Sequence, residues 1–229
     1  MSPRAQQAVA DATRVVGYTK YVELIEDLIK DKEVVSTGMM QEIDRCQKAL
    51  DLAMEGHRVA VVSSGDPGIY GMAGLVLELA TKCPAEDRPE VEVISGISAV
   101  GASAACLGAP LMHDFAVISL SDLLTPWEVI RRRVELAAEG DFVIALYNPK
   151  SVKRNWQIEE VKNIVLKHRP VMTPVGIVHH ASRDGEAKVI ANLGGFTDEH
   201  IDMFSMVIIG NSRTYVKEGY MITPRGYQV

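Results

Sequence analysis

The sequence has few of the residues that would indicate a disulfide framework, a zinc site or a membrane segment. Only three cysteines occur among 229 residues, Cys46, Cys83 and Cys106, and their spacing matches no CxxC pair. A widely spaced, odd-numbered set of this kind is typical of thiols in a reducing compartment. No apolar run approaches the length that spans a bilayer, and the first residues resemble neither a secretory signal nor a transit peptide. We therefore expect a cytoplasmic protein without disulfides, a resident metal or a membrane partner.

An excess of positive charge is also absent. The 24 lysines and arginines are outnumbered by 30 aspartates and glutamates, which gives a formal net charge of −6. Nucleic acids and anionic membranes are bound mainly through clustered cations, so this balance disfavours both as partners. A small polyanionic ligand would have to be held by individual, positioned cations.

Hydrophobic periodicity predicts alternating helices and strands. The predicted helices cover residues 2–12, 21–30, 43–53, 72–82, 96–107, 126–138 and 155–168. The predicted strands cover residues 33–36, 57–63, 91–94, 115–120, 142–147, 175–178, 187–191 and 203–209. Alternation in the first half favours a parallel sheet with helices on both faces, and the successive late strands favour antiparallel pairing. The predicted fold class is therefore α/β.

The pattern is interrupted once near the middle of the chain. Gly108, Pro110 and the polar pair His113 and Asp114 predict a linker near residues 108–114. We therefore expect two domains, at residues 1–110 and 113–229.

A glycine-rich segment, SSGDPGIYG at residues 63–71, follows the predicted strand 57–63. It lies where α/β proteins bind ligands, beyond the carboxyl end of a strand. Asp66 would place a carboxylate where phosphate-binding loops hold their ligand, and the segment matches neither common phosphate-binding pattern. A ligand with hydroxyl groups or a positive centre fits better, although three glycines and a proline can also form a simple tight turn.

The string SGDPGIYG, followed by SGISA at residues 95–99, resembles the paired signature of the tetrapyrrole methyltransferases. Five further stretches are similar to the branch of that family that methylates carbon 17 of precorrin-3B or its cobalt form. They are VVGYTKYVELI, HDFAVISLSDLLTPWEVI, ALYNPKSVKR, GNSRTY and MITPRGY. The resemblance covers most of the chain. It implies two α/β domains, the first with a largely parallel sheet and the second with a mixed sheet, and a cofactor cleft between them.

The resemblance also implies a function. The expected activity is methylation of carbon 17 of precorrin-3B or cobalt-precorrin-3 in cobalamin biosynthesis, and members of this branch also contract the ring. The implied methyl donor is S-adenosylmethionine, which leaves as S-adenosylhomocysteine. An electron-rich carbon of the macrocycle would attack the sulfonium methyl group in line, so the protein mainly supplies orientation and a dry site. Family members usually form homodimers, and a homodimer is expected here.

Positions carried over from the family predict the cofactor contacts. They are Ser64, Gly65, Asp66, Ile69, Ser98, Ala99, Asn148 and Ala181. The residue types agree with this role, because Asp66 can accept hydrogen bonds and Gly65 and Gly68 let a backbone approach closely. Small residues at positions 98–105 leave room beside a nucleoside, although they also suit plain helix packing.

Polar residues near the predicted boundary and the strand ends are expected to meet the macrocycle. A cluster is predicted from His113, Asp114, Ser119, Ser121 and Asp122. Candidate catalytic residues for proton transfer are Tyr18, His113, Asp114 and Ser121, with His180 as a further candidate. The candidate substrate-binding residues are Tyr70, Asp122, Lys150, Arg183 and Arg213, with Lys153 and Arg154 beside them. The cations are required because the implied substrate carries acetate and propionate groups.

Three other polar groups are interpreted as structural. Residues 125–128 match a capping box with proline at the first helical position. Arginines at 131–133 point about 100° apart on a helix, which favours a solvated face. His179 and His180 would face opposite sides of a strand, and no Asp, Glu or Cys completes a ligand set by spacing, which disfavours a metal site.

The amino terminus departs from the family pattern. The family normally has a first strand and a Gly-Pro-Gly loop upstream of a helix like the predicted helix 2–12, and this sequence has neither. Two hypotheses follow. The first, which we favour, is an active methyltransferase whose start in this sequence is artificial or truncated, and the second is a non-catalytic tetrapyrrole- or nucleoside-binding remnant. A third keeps the fold but changes the substrate to another corrin carbon, a sirohaem precursor, or a translation-factor or RNA target. The acidic charge disfavours RNA and the C-terminal motifs disfavour the others.

Overall fold

The computed structural model describes residues 1–152 and 154–228. The chain divides into two compact units, Met1–Ser98 and Ala99–Val229. Each unit combines helices with a β-sheet, so the predicted α/β class is confirmed. No helix within the described residues has both the length and the apolar character needed to cross a bilayer.

The first unit contains a three-stranded parallel sheet with strand order β2-β1-β3. Its strands are β1 (Arg14–Tyr18), β2 (Glu33–Thr37) and β3 (Val59–Val62). Its helices are α1 (Pro3–Asp11), α2 (Thr19–Glu23), α3 (Glu42–Met54) and α4 (Ala73–Ala80), with a short 3-10 turn at Glu26–Leu28. Helix α1 begins as predicted, since the Ser2 hydroxyl accepts a hydrogen bond from the Ala5 N–H and Pro3 occupies the first turn.

Strand β1 is buried on both faces. Val15 packs with Val9 of α1, and Val16 packs with Ala49 and Leu52 of α3, so helices cover opposite sides of the sheet. Both valines are fully inaccessible, and each such side chain contributes about 1.5–3 kcal/mol of hydrophobic stabilisation. This burial explains why the strand is a continuous apolar run rather than an alternating one.

Two predictions for the first unit are wrong. Residues 91–94 form no strand. Within the described chain β3 is an edge strand that pairs only with β1, so no strand forms backbone hydrogen bonds with this segment. The predicted helix 21–30 is instead α2 and a 3-10 turn. Val22, Ile25 and Ile29 all pack against the cluster around Val15, and this tertiary packing overrides the helical periodicity.

Cys46 is expected to be chemically inert in the folded protein. It is fully buried on α3 beside Val76 of α4, and burial raises the pKa of its thiol to about 11. Alkylating reagents attack the thiolate, so iodoacetamide at about pH 8 should label the partly buried Cys83 but not Cys46 until the chain is unfolded. Mass spectrometry of labelled peptides measures both sites. Equal labelling rates in the native protein would contradict this description of the core.

The second unit contains a five-stranded mixed sheet with strand order β5-β6-β9-β7-β8 and a small sheet with order β10-β11-β4. The strands are β4 (Gly108–Ala109), β5 (Phe115–Ser119), β6 (Val143–Tyr147), β7 (Pro174–His179), β8 (Ala187–Asn192), β9 (Ser205–Ile209), β10 (Tyr215–Lys217) and β11 (Tyr220–Ile222). The helices are α5 (Ala99–Leu107), α6 (Trp127–Glu139) and α7 (Gln157–Val165), with a 3-10 turn at Phe196–Asp198. Antiparallel pairing in this half is therefore confirmed, and β5 with β6 is the one pair of neighbouring strands among the described residues of the large sheet that is parallel.

The large sheet is covered on both faces. Ile144 and Leu146 of β6 pack into the cluster that includes α6 and α7, whereas the alternate residues Val143 and Ala145 pack into the cluster that includes α5. Helix α5 approaches closely, because a Cβ on Gly176 of β7 would lie only 2.3 Å from the Leu107 side chain. Ala99 and Ala104 of α5 also pack against the hydrophobic cluster on this face of the sheet.

The division between the compact units lies earlier than the predicted domain boundary. Helix α5 packs on the sheet of the second unit, so the units divide after Ser98 rather than near residue 110. The predicted linker at 108–114 is not a free connection, since Gly108 and Ala109 form β4 and pair with β11. The functional domain ranges 1–110 and 113–229 stay a prediction.

Helix α6 does not start with the predicted capping box. Pro126 is its N-cap residue and no side chain caps it. Glu128 instead accepts a hydrogen bond from Arg131 at 3.0 Å on the exposed face. The two side chains three residues apart form an ordinary helix-surface ion pair.

Candidate functional site

The carboxyl ends of the first unit's strands meet at one edge of its sheet, because all three strands are parallel. Tyr18 ends β1, Thr37 ends β2, and the glycine-rich loop 63–71 follows β3. Open α/β sheets bind ligands at this edge. The predicted residues of the first unit that belong to this edge are Tyr18, Ser64, Gly65, Asp66, Ile69 and Tyr70.

Asp66 organises the glycine-rich loop. One carboxylate oxygen accepts a hydrogen bond from the Gly68 N–H at 2.8 Å, and the other accepts one from the Gly96 N–H at 2.9 Å. The carboxylate therefore joins the loop to the segment that leads to Ser98. The hydrogen bond from Gly96 connects the loop that contains the predicted cofactor contacts Ser64 and Gly65 to the segment that contains Ser98.

Where the glycine-rich loop meets the segment at Gly96, the backbones lie too close together for side chains. A Cβ on Gly96 would lie 2.0 Å from the Gly65 carbonyl oxygen, and Gly65 itself has a φ of +71°. Tyr70 also has a positive φ, +54°, which is uncommon outside glycine and is typical of functional loops. Tyr70 and Ile69 remain exposed on the loop surface, where a ligand can reach them.

Arg45 is a buried cation that the sequence analysis did not identify. Its guanidinium donates to the Thr37 hydroxyl and the Gly38 carbonyl, both at 2.7 Å, and lies 5.8 Å from the centre of the Tyr18 ring. Arg45 thereby ties together the ends of β1 and β2 at the candidate site. Its position on α3 looks like an ordinary helix-surface arginine in the sequence, so only the structure could find it.

A second edge of the same kind occurs in the second unit. Strands β5, β6 and β7 run in one direction, because β5 is parallel to β6 and both β6 and β7 are antiparallel to β9. Their carboxyl ends are Ser119, Tyr147 and His179. The predicted residues that follow these three ends are Ser121, Asp122, Asn148, Lys150, Ala181 and Arg183. The structure therefore places these six together at one sheet edge.

Asn148 lies at the centre of this edge. Its side-chain amide donates to the Ser119 hydroxyl at 3.0 Å, and its backbone carbonyl accepts from the Arg154 guanidinium at 2.7 Å. Its φ of +49° is strained for a residue with a side chain, and the two hydrogen bonds hold it there. Burial lowers the pKa of Arg154, with Asp122 acting in the opposite direction, and the side chain still serves as a cationic donor.

The start of α5 joins the same region. The Val100 N–H donates to the Tyr147 hydroxyl at 3.2 Å, and Ala99 and Ala181 pack against one hydrophobic cluster. Ala99, Asn148 and Ala181 are the three cofactor contacts predicted in this unit, and the structure gathers all three.

Two buried polar atoms in α7 and the loop before it have no hydrogen-bond partner within the described residues. They are Arg154 Nε and Gln157 Oε1, although Gln157 also donates to Asp122 at 2.9 Å. Unsatisfied buried polar atoms are rare in proteins, and they suit a site that takes a polar ligand or water.

Three predicted residues lie at the opposite edge of this sheet. His113 and Asp114 precede β5, and the Asp114 carbonyl accepts from the first residue of β6, Val143. A strand rises about 3.3 Å per residue, so the two ends of β5, which adjoin Asp114 and Ser121, lie about 13 Å apart. The single cluster predicted from residues 113–122 is therefore wrong. Arg213 follows β9, whose end lies beside the start of β6, as the Ser212–Asp141 hydrogen bond shows.

The remaining predicted cations differ in their surroundings. Lys150 is partly buried and helps to lower the pKa of Glu159, although the Lys162 side chain is the larger cause. Arg183 lies in the turn after β7, where its N–H donates to the His180 carbonyl at 2.8 Å. Lys153, also predicted beside the substrate, lies outside the described residues.

Two further residues come to this edge that the sequence analysis missed. His200 and Asp202 lie just before β9 and approach His179, with His200 Nε2 3.5 Å and His179 Nδ1 3.8 Å from the Asp202 carboxylate. Burial would raise the pKa of Asp202, but hydrogen bonds from Ser205 and Phe204 and the nearby histidines outweigh it and lower that pKa. The pairing of His179 with Ser205 across β7 and β9 brings the group together.

The chain matches the family described as Tetrapyrrole (Corrin/Porphyrin) Methylases over residues 1–197. The chain belongs to this family. A relative of this methylase is the probable cobalt-factor III C(17)-methyltransferase of Salmonella typhimurium, 51% identical over 227 residues that cover 99% of this chain and 93% of the relative. Another is the cobalt-factor III methyltransferase of Priestia megaterium, 49% identical over 100% of this chain but only 43% of that protein. The resemblance drawn from the sequence motifs is therefore confirmed.

Solved structures agree with this assignment. The methyltransferase CobJ is 37% identical, with a TM-score of 0.92, and the match covers 98% of this methylase and 93% of CobJ. A uroporphyrin-III C-methyltransferase from Thermus thermophilus, complexed with S-adenosylhomocysteine, has the same fold at 21% identity. Its TM-score is 0.69, over 92% of this chain and 90% of that one.

Proposed function

We propose that this methylase transfers a methyl group from S-adenosylmethionine to carbon 17 of a corrin precursor, either precorrin-3B or its cobalt-containing counterpart. The observation that carries the proposal is the similarity to the Salmonella relative, which extends over 99% of this chain and 93% of that protein. A match of this extent supports the same fold and the same reaction in both proteins. The proposed setting is cobalamin biosynthesis in the cytoplasm, with the enzyme acting as a homodimer.

The first unit's loop suits the proposed cofactor. Gly65 and Gly68 allow the loop backbone to approach a ligand closely, and the absence of a side chain on Gly96 lets its segment pack against the Gly65 carbonyl. Asp66 uses both oxygens to fix this loop, so we assign it a positioning role in cofactor binding rather than direct recognition. In the second unit, Ala99, Asn148 and Ala181 stay proposed contacts, with Asn148 fixed by Ser119 and Arg154.

The macrocycle carboxylates are proposed to bind at the carboxyl edge of the second sheet. Lys150 and Arg183 supply cations there, and a net-negative protein depends on such local donors. Arg213, at the opposite edge, is a weaker candidate for the same ligand. Ser121 and His180 are the candidates for proton transfer at this edge, while Tyr18 lies at the edge of the first sheet.

Orientation is the main contribution proposed for the protein. S-adenosylmethionine supplies a methyl group on a sulfonium sulfur, and a reduced macrocycle carbon is already nucleophilic. Holding two reactants in line can remove about 7–11 kcal/mol from a barrier without further chemistry. The hydrogen bonds of Asp66 and Asn148 fix the conformation of the loops proposed to position the reactants.

The proposal is tested by incubating the purified chain with S-adenosylmethionine and either cobalt-factor III or precorrin-3B under anaerobic conditions. Mass spectrometry should show the gain of one methyl group by one macrocycle and an equal amount of S-adenosylhomocysteine. A parallel calorimetric titration with S-adenosylhomocysteine measures binding alone. Binding without transfer to either macrocycle would favour the non-catalytic alternative and overturn the proposed activity.

Replacing Asp66 with alanine is expected to weaken S-adenosylhomocysteine binding by about tenfold. The substitution removes the acceptor for two backbone N–H groups, and each such hydrogen bond contributes about 0.5–1.5 kcal/mol. Calorimetry measures the affinity, and circular dichroism checks that the fold is retained. Asp87→Ala, at an exposed position of the same unit, is the matched control. Equal affinities for the two variants would remove Asp66 from the proposed site.

A further inference from the structure

We propose that His179, His200 and Asp202 form a binding site for one divalent first-row transition-metal ion. His179 ends β7, whereas His200 and Asp202 precede β9, and each side chain offers one nitrogen or oxygen donor. The donor atoms all lie within 4.8 Å of one another. The proposal does not rest on the proposed methyl transfer, because it is argued only from the donor atoms of these three side chains.

The distances from the two histidines to the Asp202 carboxylate are close to those between the ligands of a metal ion. Zinc bonds to histidine nitrogen and carboxylate oxygen are about 2.0–2.2 Å long, so two donors on a tetrahedral ion lie about 3.4 Å apart. His200 Nε2 is 3.5 Å from Asp202 Oδ2, and His179 Nδ1 is 3.8 Å from Asp202 Oδ1. The two imidazole rings are stacked with their centroids 5.2 Å apart, so the histidine side chains have to rotate before both nitrogens point at one ion.

The backbone explains why the three residues meet. His179 is the last residue of β7 and pairs with Ser205 at the start of β9. The chain enters β9 through residues 200–204, in which His200 and Asp202 flank Ile201. Ile201 is 5% exposed and belongs to the hydrophobic core, so it anchors this segment while its two neighbours remain accessible beside His179.

Neighbouring groups orient the carboxylate. Asp202 Oδ1 accepts hydrogen bonds from the Ser205 hydroxyl at 2.8 Å and the Phe204 N–H at 2.9 Å, and Oδ2 faces His200. The Ser205 hydroxyl also lies 3.0 Å from His179 Nδ1. The Asp202 N–H donates in turn to this hydroxyl at 2.8 Å. Hydrogen bonds to a ligating carboxylate fix its orientation and raise metal affinity, whereas a bound ion would replace the contact between Ser205 and His179 Nδ1.

The donor set indicates the class of ion. Two imidazoles and one carboxylate favour zinc, iron(II), cobalt(II) or nickel(II), whereas magnesium and calcium prefer oxygen donors alone. Three protein donors leave at least one coordination position for water or another ligand. The side chain of His200 is 80% exposed, so an ion can enter from solvent.

The test uses the untagged full chain, stripped of metal by a chelator, and cobalt(II) as the probe. Titration should show one tightly bound ion with visible ligand-field absorption, and added zinc should displace it. His200→Ala and Asp202→Asn should each weaken cobalt binding by roughly 100-fold, since even the loss of a neighbouring hydrogen-bonding group costs 10- to 100-fold. His57→Ala, which removes a histidine of the other unit, should leave the affinity unchanged.

Folding is checked by circular dichroism, and both test substitutions are at accessible positions, so folded variants are expected. Absence of a bound ion in the parent chain would overturn the proposal. Equal cobalt affinities in the parent chain and in the folded His200→Ala and Asp202→Asn variants would also overturn it. The same holds if His57→Ala loses as much cobalt affinity as the two test variants. Because methyl transfer is not part of the measurement, failure here leaves the proposed enzymatic activity standing.

Discussion

Replacing Gly96 with alanine is expected to lower the affinity for S-adenosylhomocysteine by about 100-fold, which corresponds to about 2.7 kcal/mol. The added Cβ would lie 2.0 Å from the Gly65 carbonyl oxygen and 3.1 Å from the Asp66 Cα. Both are backbone atoms, so the whole glycine-rich loop has to move and the bond from Gly96 to Asp66 is lost. Calorimetric titration of the purified variant measures the effect.

Gly74→Ala is the matched control for this experiment. Gly74 lies on α4, just beyond the same loop, and a Cβ there meets no atom within 4 Å. Alanine is also the better helix former, so this variant should bind the ligand like the parent chain and be no less stable. Thermal unfolding of both variants separates loss of binding from loss of fold. Parent-like affinity in a folded Gly96→Ala variant would contradict the proposed role of the loop.

Replacing Arg169 with methionine is expected to reduce the free energy of unfolding of the second unit by about 3 kcal/mol. The Arg169 side chain is almost fully buried and donates to the carbonyls of Gly210, Phe142 and Ala137. It thereby joins the end of β9 to the chain between α6 and β6. Methionine is unbranched and apolar and has no donor, so these carbonyls would lose their partner while staying buried. Denaturant titration followed by circular dichroism measures the change.

The charge of Arg169 does not reverse this expectation. Burial lowers the pKa of the guanidinium, with Asp141 opposing the change from 3.9 Å away. Removing a buried cation can be stabilising when its partner groups are replaced as well, but here the carbonyls remain. Arg131→Met, on the exposed face of α6, is the control and should leave the unfolding midpoint unchanged. Similar midpoints for the two variants would show that Arg169 is not a structural link.

Elements with strong apolar runs were predictable from the sequence. Strands β6 and β7 lie close to their predicted positions, because nearly every residue in them is buried between helical layers and therefore apolar. The segment 91–94 has a similar composition, but a strand also needs a partner, and composition does not reveal whether one is adjacent. The break in the predicted helix 21–30 arises in the same way from packing against β1.

The candidate site was predictable where motif and topology agree. The loop 63–71 follows a strand and lies at the carboxyl edge of its sheet, as expected of α/β proteins. The cluster predicted from residues 113–122 was wrong because it joined the two ends of one strand, β5, which lie at opposite edges of the sheet. Tracing the direction of that strand would have separated Asp114 from Ser121.

The group formed by His179, His200 and Asp202 could not be found by spacing along the chain. It depends on the antiparallel pairing of β7 with β9, which brings together residues about twenty positions apart. Arg45 was missed for a related reason, since its burial depends on how α3 lies over the ends of β1 and β2. Long-range contacts of both kinds have no local signature.

The most direct test of the proposed function is the position of the transferred methyl group. The chain is incubated with S-adenosylmethionine labelled with carbon-13 in the methyl group and with the macrocycle that it methylates, and the product is analysed by nuclear magnetic resonance. The account predicts a labelled methyl group bonded to carbon 17 of the macrocycle. Label on another carbon, or none in the macrocycle, would contradict it.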